Sequence, residues 1–216
     1  MFDSGIKELF DNKEKSQKEK EFEEEIKRIK ELIKKHNLNA EIKAFPERKI
    51  FRIVFPLAVA AFNYTKEPNL VTLLRTSEAF GAKEFITIGT KPEISEAISV
   101  GTKKWMRWLH FENFEDFYNY AKDKYKLIGL EISKKSVSIF EVKKYPEPAC
   151  FIIGSEKTTG LPEEVQEKCD LIVRIPQYGI VGSLNTATAG SILLFDYIQK
   201  NVKIELLRFK NRNYRV

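Results

Sequence analysis

Two segments of this chain set small and polar residues where an apolar run stops. One is GSEKTTGLP, Gly154 to Pro162, which follows Phe151-Ile152-Ile153. The other is IPQYGIVGSLN, Ile175 to Asn185, which follows Leu171-Ile172-Val173. Glycines after a short strand can bring backbone N–H groups to a phosphate, so nucleotide binding is the first chemistry to consider. A triphosphate loop needs four residues between its glycines and then Lys and Ser/Thr. Here five residues separate Gly154 from Gly160 and Leu161 follows, so that site is not expected. The dinucleotide pattern Gly-x-Gly-x-x-Gly after an early strand is absent as well.

On residue types alone, the first segment reads as a turn. Gly154 ends a strand, Gly160 takes a positive φ, Pro162 is the first residue of a helix, and Glu156 faces solvent. The second segment reads as a strand exit stiffened by Pro176, with room for a tight path at Gly179 and Gly182. Ser183 is placed to cap the helix that follows. Ala187, Ala189, Gly190 and Ser191 permit close approach of a neighbouring element. An N-cap does not explain Asn185 two residues further on, or so many small residues in one turn.

The elements that must carry these segments can be read from periodicity. Residues 13 to 36 are rich in Lys and Glu, with Phe22, Ile26, Ile29 and Ile33 at helical spacing; this predicts a surface helix that stops at Asn37. Glu24 with Arg28 and Glu31 with Lys35 have favourable i,i+4 order. From residue 50, apolar runs alternate with helical patterns. Strands are expected at 50–55, 85–88, 127–132, 151–153 and 171–175, and helices at 70–80, 94–100, 114–125 and 184–199. Most strands are continuous apolar runs, which predicts the α/β class: a mostly parallel sheet with helices on both faces. In such sheets ligands bind beyond the carboxyl ends of the strands, so the segments after Leu130, Gly154 and Pro176 are the candidate site.

Composition bounds the rest. The 216 residues are 43% hydrophobic, enough for a substantial core. The apolar runs are too short to cross a bilayer, and the charged start lacks the apolar stretch of a signal peptide. Two cysteines, Cys150 and Cys169, make no disulfide framework and predict a reduced, cytoplasmic protein in which both are core residues. The net charge is +6, and Arg208, Lys210, Arg212 and Arg215 follow the last acidic residue, Glu205. That tail is either a solvated end or a phosphate-contacting arm. His36 and His110 read as incidental, and Arg75 by itself reads as a surface residue beside Glu78.

Taken together, three segments resemble the motifs of the SPOUT superfamily, in its SpoU/TrmH branch of RNA ribose 2′-O-methyltransferases. They are PNLVTLLRTSEAFGA with Asn69, Arg75, Thr76 and Gly81, then GSEKTTGLP, then IPQYGIVGSLN, in the family's order. The stretch Ser99 to Trp105, SVGTKKW, resembles tRNA-modifying members. Val71 stands where the family usually has Gly, and the glycine loop is one residue longer. The resemblance covers residues 50 to 200. It implies a C-terminal trefoil knot, a homodimer with composite sites, and S-adenosylmethionine held by the backbone around Leu130, Gly154, Ile175 and Leu184. It implies Asn69, Arg75, Glu156, Ser183 and Asn185 as the acting residues, with no metal. The substrate implied is RNA, with tRNA and a D-loop guanosine favoured over rRNA; membrane and DNA are not expected. A non-catalytic RNA-binding protein on the same fold is the alternative. The corresponding domains are a charged helical extension (1–45), the methyltransferase domain (46–200) and a basic tail (201–216).

Overall fold

The computed structural model describes residues 4–48, 50–64, 67–91, 105–154 and 160–202, with side chains from residue 17 onward. They divide into two compact units, one within residues 1–54 and one within 55–203. The expected helix at 94–100 and the basic tail lie outside the described residues.

In the first unit, helix α1 (Ser4–Lys35) is followed by strand β1 (Glu41–Phe45). Ile29 is fully buried, and Phe22, Ile26 and Ile33 are partly buried, so the apolar stripe faces inward as its spacing predicts. Arg28 pairs with Glu25, three residues back, at 3.5 Å. The stop is a Schellman turn. Asn37 takes φ 49°, its N–H bonds the Lys34 carbonyl, and the Leu38 N–H bonds the Ile33 carbonyl. β1 runs antiparallel to the first part of β2 (Ile50–Phe62), pairing Phe45 with Ile50 and Glu41 with Val54.

The second unit continues with α2 (Glu67–Ala79), β3 (Ala82–Ile88), β4 (Arg107–Phe111), α3 (Phe114–Ala121), β5 (Lys126–Leu130), β6 (Val137–Ser138), β7 (Ala149–Ile153), α4 (Glu163–Glu167), β8 (Leu171–Arg174) and α5 (Thr186–Asn201). The strands lie in the order β4-β3-β2-β7-β5-β8-β6, and every pairing along this path is parallel. The continuous apolar runs are buried on both faces, as a parallel sheet demands. Ala58, Ala60, Phe62, Leu127, Cys150 and Ile152 turn to one face and join Phe117 and Ala121 of α3 and Val165 of α4. On the other face Phe151 stacks edge-on against Tyr197 of α5, and Ile153 lies beneath Gly190.

Periodicity missed β1, β4 and β6. β4 is RWLHF, an edge strand whose residues are exposed or half-buried, so it lacks the apolar run that marked the central strands. Pro162 is not the first residue of α4 but its N-cap, because its ψ of 150° is extended and the helix begins at Glu163. Gly160 does take a positive φ, 83°.

The starts of the strands are tied by a buried carboxylate. Glu84, 3% exposed, accepts hydrogen bonds from Arg107 (2.9 Å), Tyr120 (2.8 Å) and Tyr125 (3.0 Å). Burial and the hydrogen bond to Glu84 push the Tyr120 phenol up to about 12, and Tyr125 is pushed up for the same reasons. Glu84→Ala leaves the buried Tyr125 and half-buried Tyr120 hydroxyls without their acceptor and is expected to cost about 3 kcal/mol of stability in urea unfolding. The fold favours the neutral phenol, so Tyr120 contributes fully below about pH 10 and its contribution is lost as pH rises through its folded value. Urea midpoints measured across that range should fall as the phenolate absorbance rises.

Candidate active site

The carboxyl ends of β5, β7 and β8 open into one cavity of about 700 Å³. Leu130, Glu131 and Ile132 supply the wall after β5; Ile153, Gly154 and Gly160 the wall after β7; and Arg174, Ile175, Gln177, Gly182, Ser183 and Leu184 the wall after β8. Asn69 from α2 and Asn185, Thr186 and Ala189 from the start of α5 complete it. The volume lies within the range of small-molecule sites.

Each wall has a local cause. A Cβ on Gly154 would lie 2.9 Å from the Gly160 carbonyl carbon, so only glycine lets the two ends of the loop touch. The start of α5 is capped by Asn185, whose side-chain oxygen accepts the Thr188 N–H at 3.1 Å. Ser183 is therefore not the cap: the helix begins at Thr186, and Ser183 stays exposed on the cavity wall. The amide nitrogen of Asn185 also donates to the Asn69 side-chain oxygen at 3.0 Å. Seven residues further along α2 than Asn69, Thr76 accepts from Ser191 of α5 at 3.1 Å. The two helices thus meet along one face of each.

The far half of α5 is anchored to the segment before β7. Tyr145 donates to Asp196 at 2.6 Å and Lys200 to the same oxygen at 2.7 Å. Asn201 bonds both the N–H and the carbonyl of Tyr145, and Tyr197 donates to Glu147 at 2.7 Å. These buried, mutually satisfied polar groups fix the orientation of α5 and so of its cavity end.

Of the site residues expected from the sequence, Asn69, Ser183, Asn185, Leu130, Gly154, Ile175 and Leu184 come together around this one cavity. Arg75 does not. It is exposed on α2 and is not among the residues lining the cavity of its own chain. Glu156 and most of SVGTKKW lie outside the described residues. Glu131, Arg174 and Thr186 line the cavity without having been anticipated. A lone polar residue after a strand has no pattern to mark it; only the position of Glu131 at the end of an apolar run hinted at a role. Both thiols are pushed up by burial, Cys169 to about 12, which suits core residues and not nucleophiles. His110 shares a 3.0 Å hydrogen bond with Thr87, away from the cavity. Among the described residues no group of three or more His, Cys, Asp or Glu could hold a metal ion, and no helix is long and apolar enough to cross a membrane.

The lining suits a nucleoside joined to a charged amino acid. Its charged side chains are Glu131 and Arg174, and Asn69, Gln177, Ser183, Asn185 and Thr186 add polar groups beside aliphatic Leu130, Ile132, Ile153, Ile175 and Leu184. The Thr186 hydroxyl is buried without a hydrogen-bond partner, a polar group that a ligand could satisfy.

A parallel α/β sheet with this strand-end cavity defines a ligand-binding α/β protein. Comparison with known proteins then fixes the family: the model of the SpoU rRNA Methylase family matches residues 56–195, and the chain belongs to that family. A tRNA (guanosine(18)-2′-O)-methyltransferase of Aquifex aeolicus is 27% identical over 178 residues, covering 81% of this chain and 75% of the relative. The mouse tRNA (guanosine(18)-2′-O)-methyltransferase is 28% identical over 162 residues, and the chain spans only 10% of its length. Among solved structures, the A. aeolicus TrmH/SpoU tRNA modifying enzyme aligns with a TM-score of 0.62 at 26% identity, covering 70% of this chain and 78% of that one. The AdoMet-bound rRNA methyltransferase of Sinorhizobium meliloti aligns with a TM-score of 0.61 at 25% identity, covering 68% of this chain and 57% of that one.

The two jobs of Asn185 are separable. Asn185→Ser keeps a capping oxygen but is too short to reach Asn69, so stability should stay within about 0.5 kcal/mol of wild type. Cofactor affinity measured by calorimetry should nonetheless fall, because α2 and α5 lose their tie at the cavity rim.

Proposed function

We propose that this chain is an S-adenosylmethionine-dependent RNA 2′-O-ribose methyltransferase acting on tRNA, with a D-loop guanosine as its target. The observation that carries the reading is the convergence of the three family segments on one cavity, with Asn69 hydrogen-bonded to Asn185 at its rim. The substrate assignment is supported by the names of the relatives, which act on guanosine 18 of tRNA. The methyltransferase domain is 46–200, its C-terminal part a trefoil knot. The basic tail and the N-terminal extension serve as RNA-contacting arms in the cytoplasm.

When bound, S-adenosylmethionine supplies a methyl group already activated on a sulfonium, so no metal is required. The loops after β5, β7 and β8 hold it, through the backbone around Leu130, Gly154, Ile175 and Leu184. The protein's main task is then alignment of the reacting atoms. Asn69, Ser183 and Asn185 keep the rim in register, and Glu156 ties the glycine loop to its own backbone. Arg75 binds the target phosphate and steadies the alkoxide that develops on the ribose; a guanidinium is too weakly acidic to serve readily as a base, so water or a neighbouring group takes the proton.

Arg75 reaches the reaction from a second copy. It lies outside its own cavity, and the α2–α5 surface that carries it also exposes Phe195, with Phe80 beside it at 6.3 Å between rings. We read that surface as the homodimer contact, so that each cavity receives the partner subunit's Arg75.

Arg75→Ala should abolish transfer of tritiated methyl groups while leaving calorimetric cofactor affinity within about twofold of wild type. Co-expression of Arg75→Ala with Asn185→Ala chains should restore part of the activity, since a mixed dimer keeps one intact site; no recovery would place Arg75 in its own chain's cavity. A tRNA transcript with 2′-deoxyguanosine at position 18 should accept no label. Equal labelling of that transcript, or labelling of rRNA instead, would refute the substrate.

A further inference from the structure

The exits of β5, β7 and β8 are separate stretches of chain, and something must hold them at a common spacing if they are to form one wall. One residue touches all three. The backbone N–H of Glu131, just past β5, donates to the Val173 carbonyl of β8 at 2.9 Å. Its carboxylate turns toward the far end of the glycine loop, where one oxygen accepts the Leu161 N–H at 2.5 Å. The other oxygen accepts the Ile132 N–H at 2.8 Å, which fixes the rotation of the carboxylate. Gly160 lies against it so closely that a Cβ there would sit 1.9 Å from the bonded oxygen. Leu161 itself is buried in the core, so the carboxylate pins the loop's end to a fixed point of the fold.

We propose that Glu131 is a positioning residue for the cofactor. It staples the neck of the glycine loop to the exits of β5 and β8, so that the cavity exists in its binding shape before the ligand arrives. This rests on the reading that the cavity takes S-adenosylmethionine. Two features separate the role from general stabilisation. Glu131 is only partly buried and lines the cavity, so the core does not depend on its volume. Both of its oxygens are spent on backbone N–H groups of cavity-forming loops, and a carboxylate is the one side-chain group of this length that accepts with both ends. A wall assembled in advance spares the ligand the entropy of ordering it, and that saving appears as affinity.

The test uses the full chain, with calorimetric binding of S-adenosylmethionine, steady-state kinetics and amide hydrogen exchange. Glu131→Ala should weaken cofactor binding about tenfold or more, the scale of one charge-assisted hydrogen bond. The KM for the cofactor should rise in step, with kcat at saturating cofactor and the KM for tRNA unchanged. Glu131→Gln keeps one accepting oxygen and should recover part of the affinity. The Leu161 amide should exchange faster in Glu131→Ala than in wild type. Wild-type affinity in Glu131→Ala, or a loss of kcat with cofactor affinity intact, overturns the proposal. A wild-type chain that binds no S-adenosylmethionine overturns the proposed function and this inference together, whereas binding by wild type and Glu131→Ala alike overturns this inference alone.

Discussion

Helices α2 and α5 lie against each other so closely that one position on α5 has no room for a side chain. A Cβ on Gly190 would come within 2.7 Å of the Leu73 methyl carbon and 3.4 Å of Ile153. That close approach sets the distance between the helices and seats α5 on the sheet. Asn69 and Asn185 can then meet at one end of the pair, and Thr76 and Ser191 further along it. Dispersion forces between packed atoms fall steeply with separation, so a gap here would loosen every contact along the seam. The cavity rim is therefore a consequence of helix packing as much as of the polar residues that line it.

The two ends of the parallel sheet divide the work. At the strand starts, the buried Glu84 carboxylate gathers Arg107, Tyr120 and Tyr125 and so joins β3, β4 and the lead-in to β5. At the strand ends, β5, β7 and β8 stop short, and their exits bend around open space instead of closing over it. Strand ends leave backbone groups without ladder partners, and those groups either turn to local side chains, as at Glu131, or remain to meet a ligand. A rigid far edge lets this nearer edge keep its shape while leaving part of its hydrogen-bonding capacity unspent.

Membership in the SpoU rRNA Methylase family gives this arrangement its chemical meaning. Methyl transfer from a sulfonium asks little of a protein in acid–base chemistry and much in alignment. The cavity is suited to that demand. Its charged side chains are only Glu131 and Arg174, and its walls are held by interactions outside the cavity, such as the Tyr145–Asp196–Lys200 cluster at the far end of α5. Arg75 lies exposed on α2, apart from the residues that line this cavity.

Periodicity alone determined the class of fold. The apolar runs of the central strands could be satisfied only by burial on both faces, so the parallel sheet was legible, and so were α2, α3, the stop at Asn37 and the turn at Gly160. The motif segments also named most of the residues that line the cavity. Other features were illegible because they depend on neighbours distant in sequence. β4 is recognisable only from its pairing with β3, since an edge strand needs no apolar run. The cap of α5 passed from Ser183 to Asn185 because the helix starts where packing on α2 lets it start. Glu131 acquired a role only when strand order brought Leu161, thirty residues away, within hydrogen-bonding reach. Local sequence sets dihedral preferences and which face is apolar; which polar atoms meet is settled by the register of strands and the seating of helices, and those are properties of the whole fold.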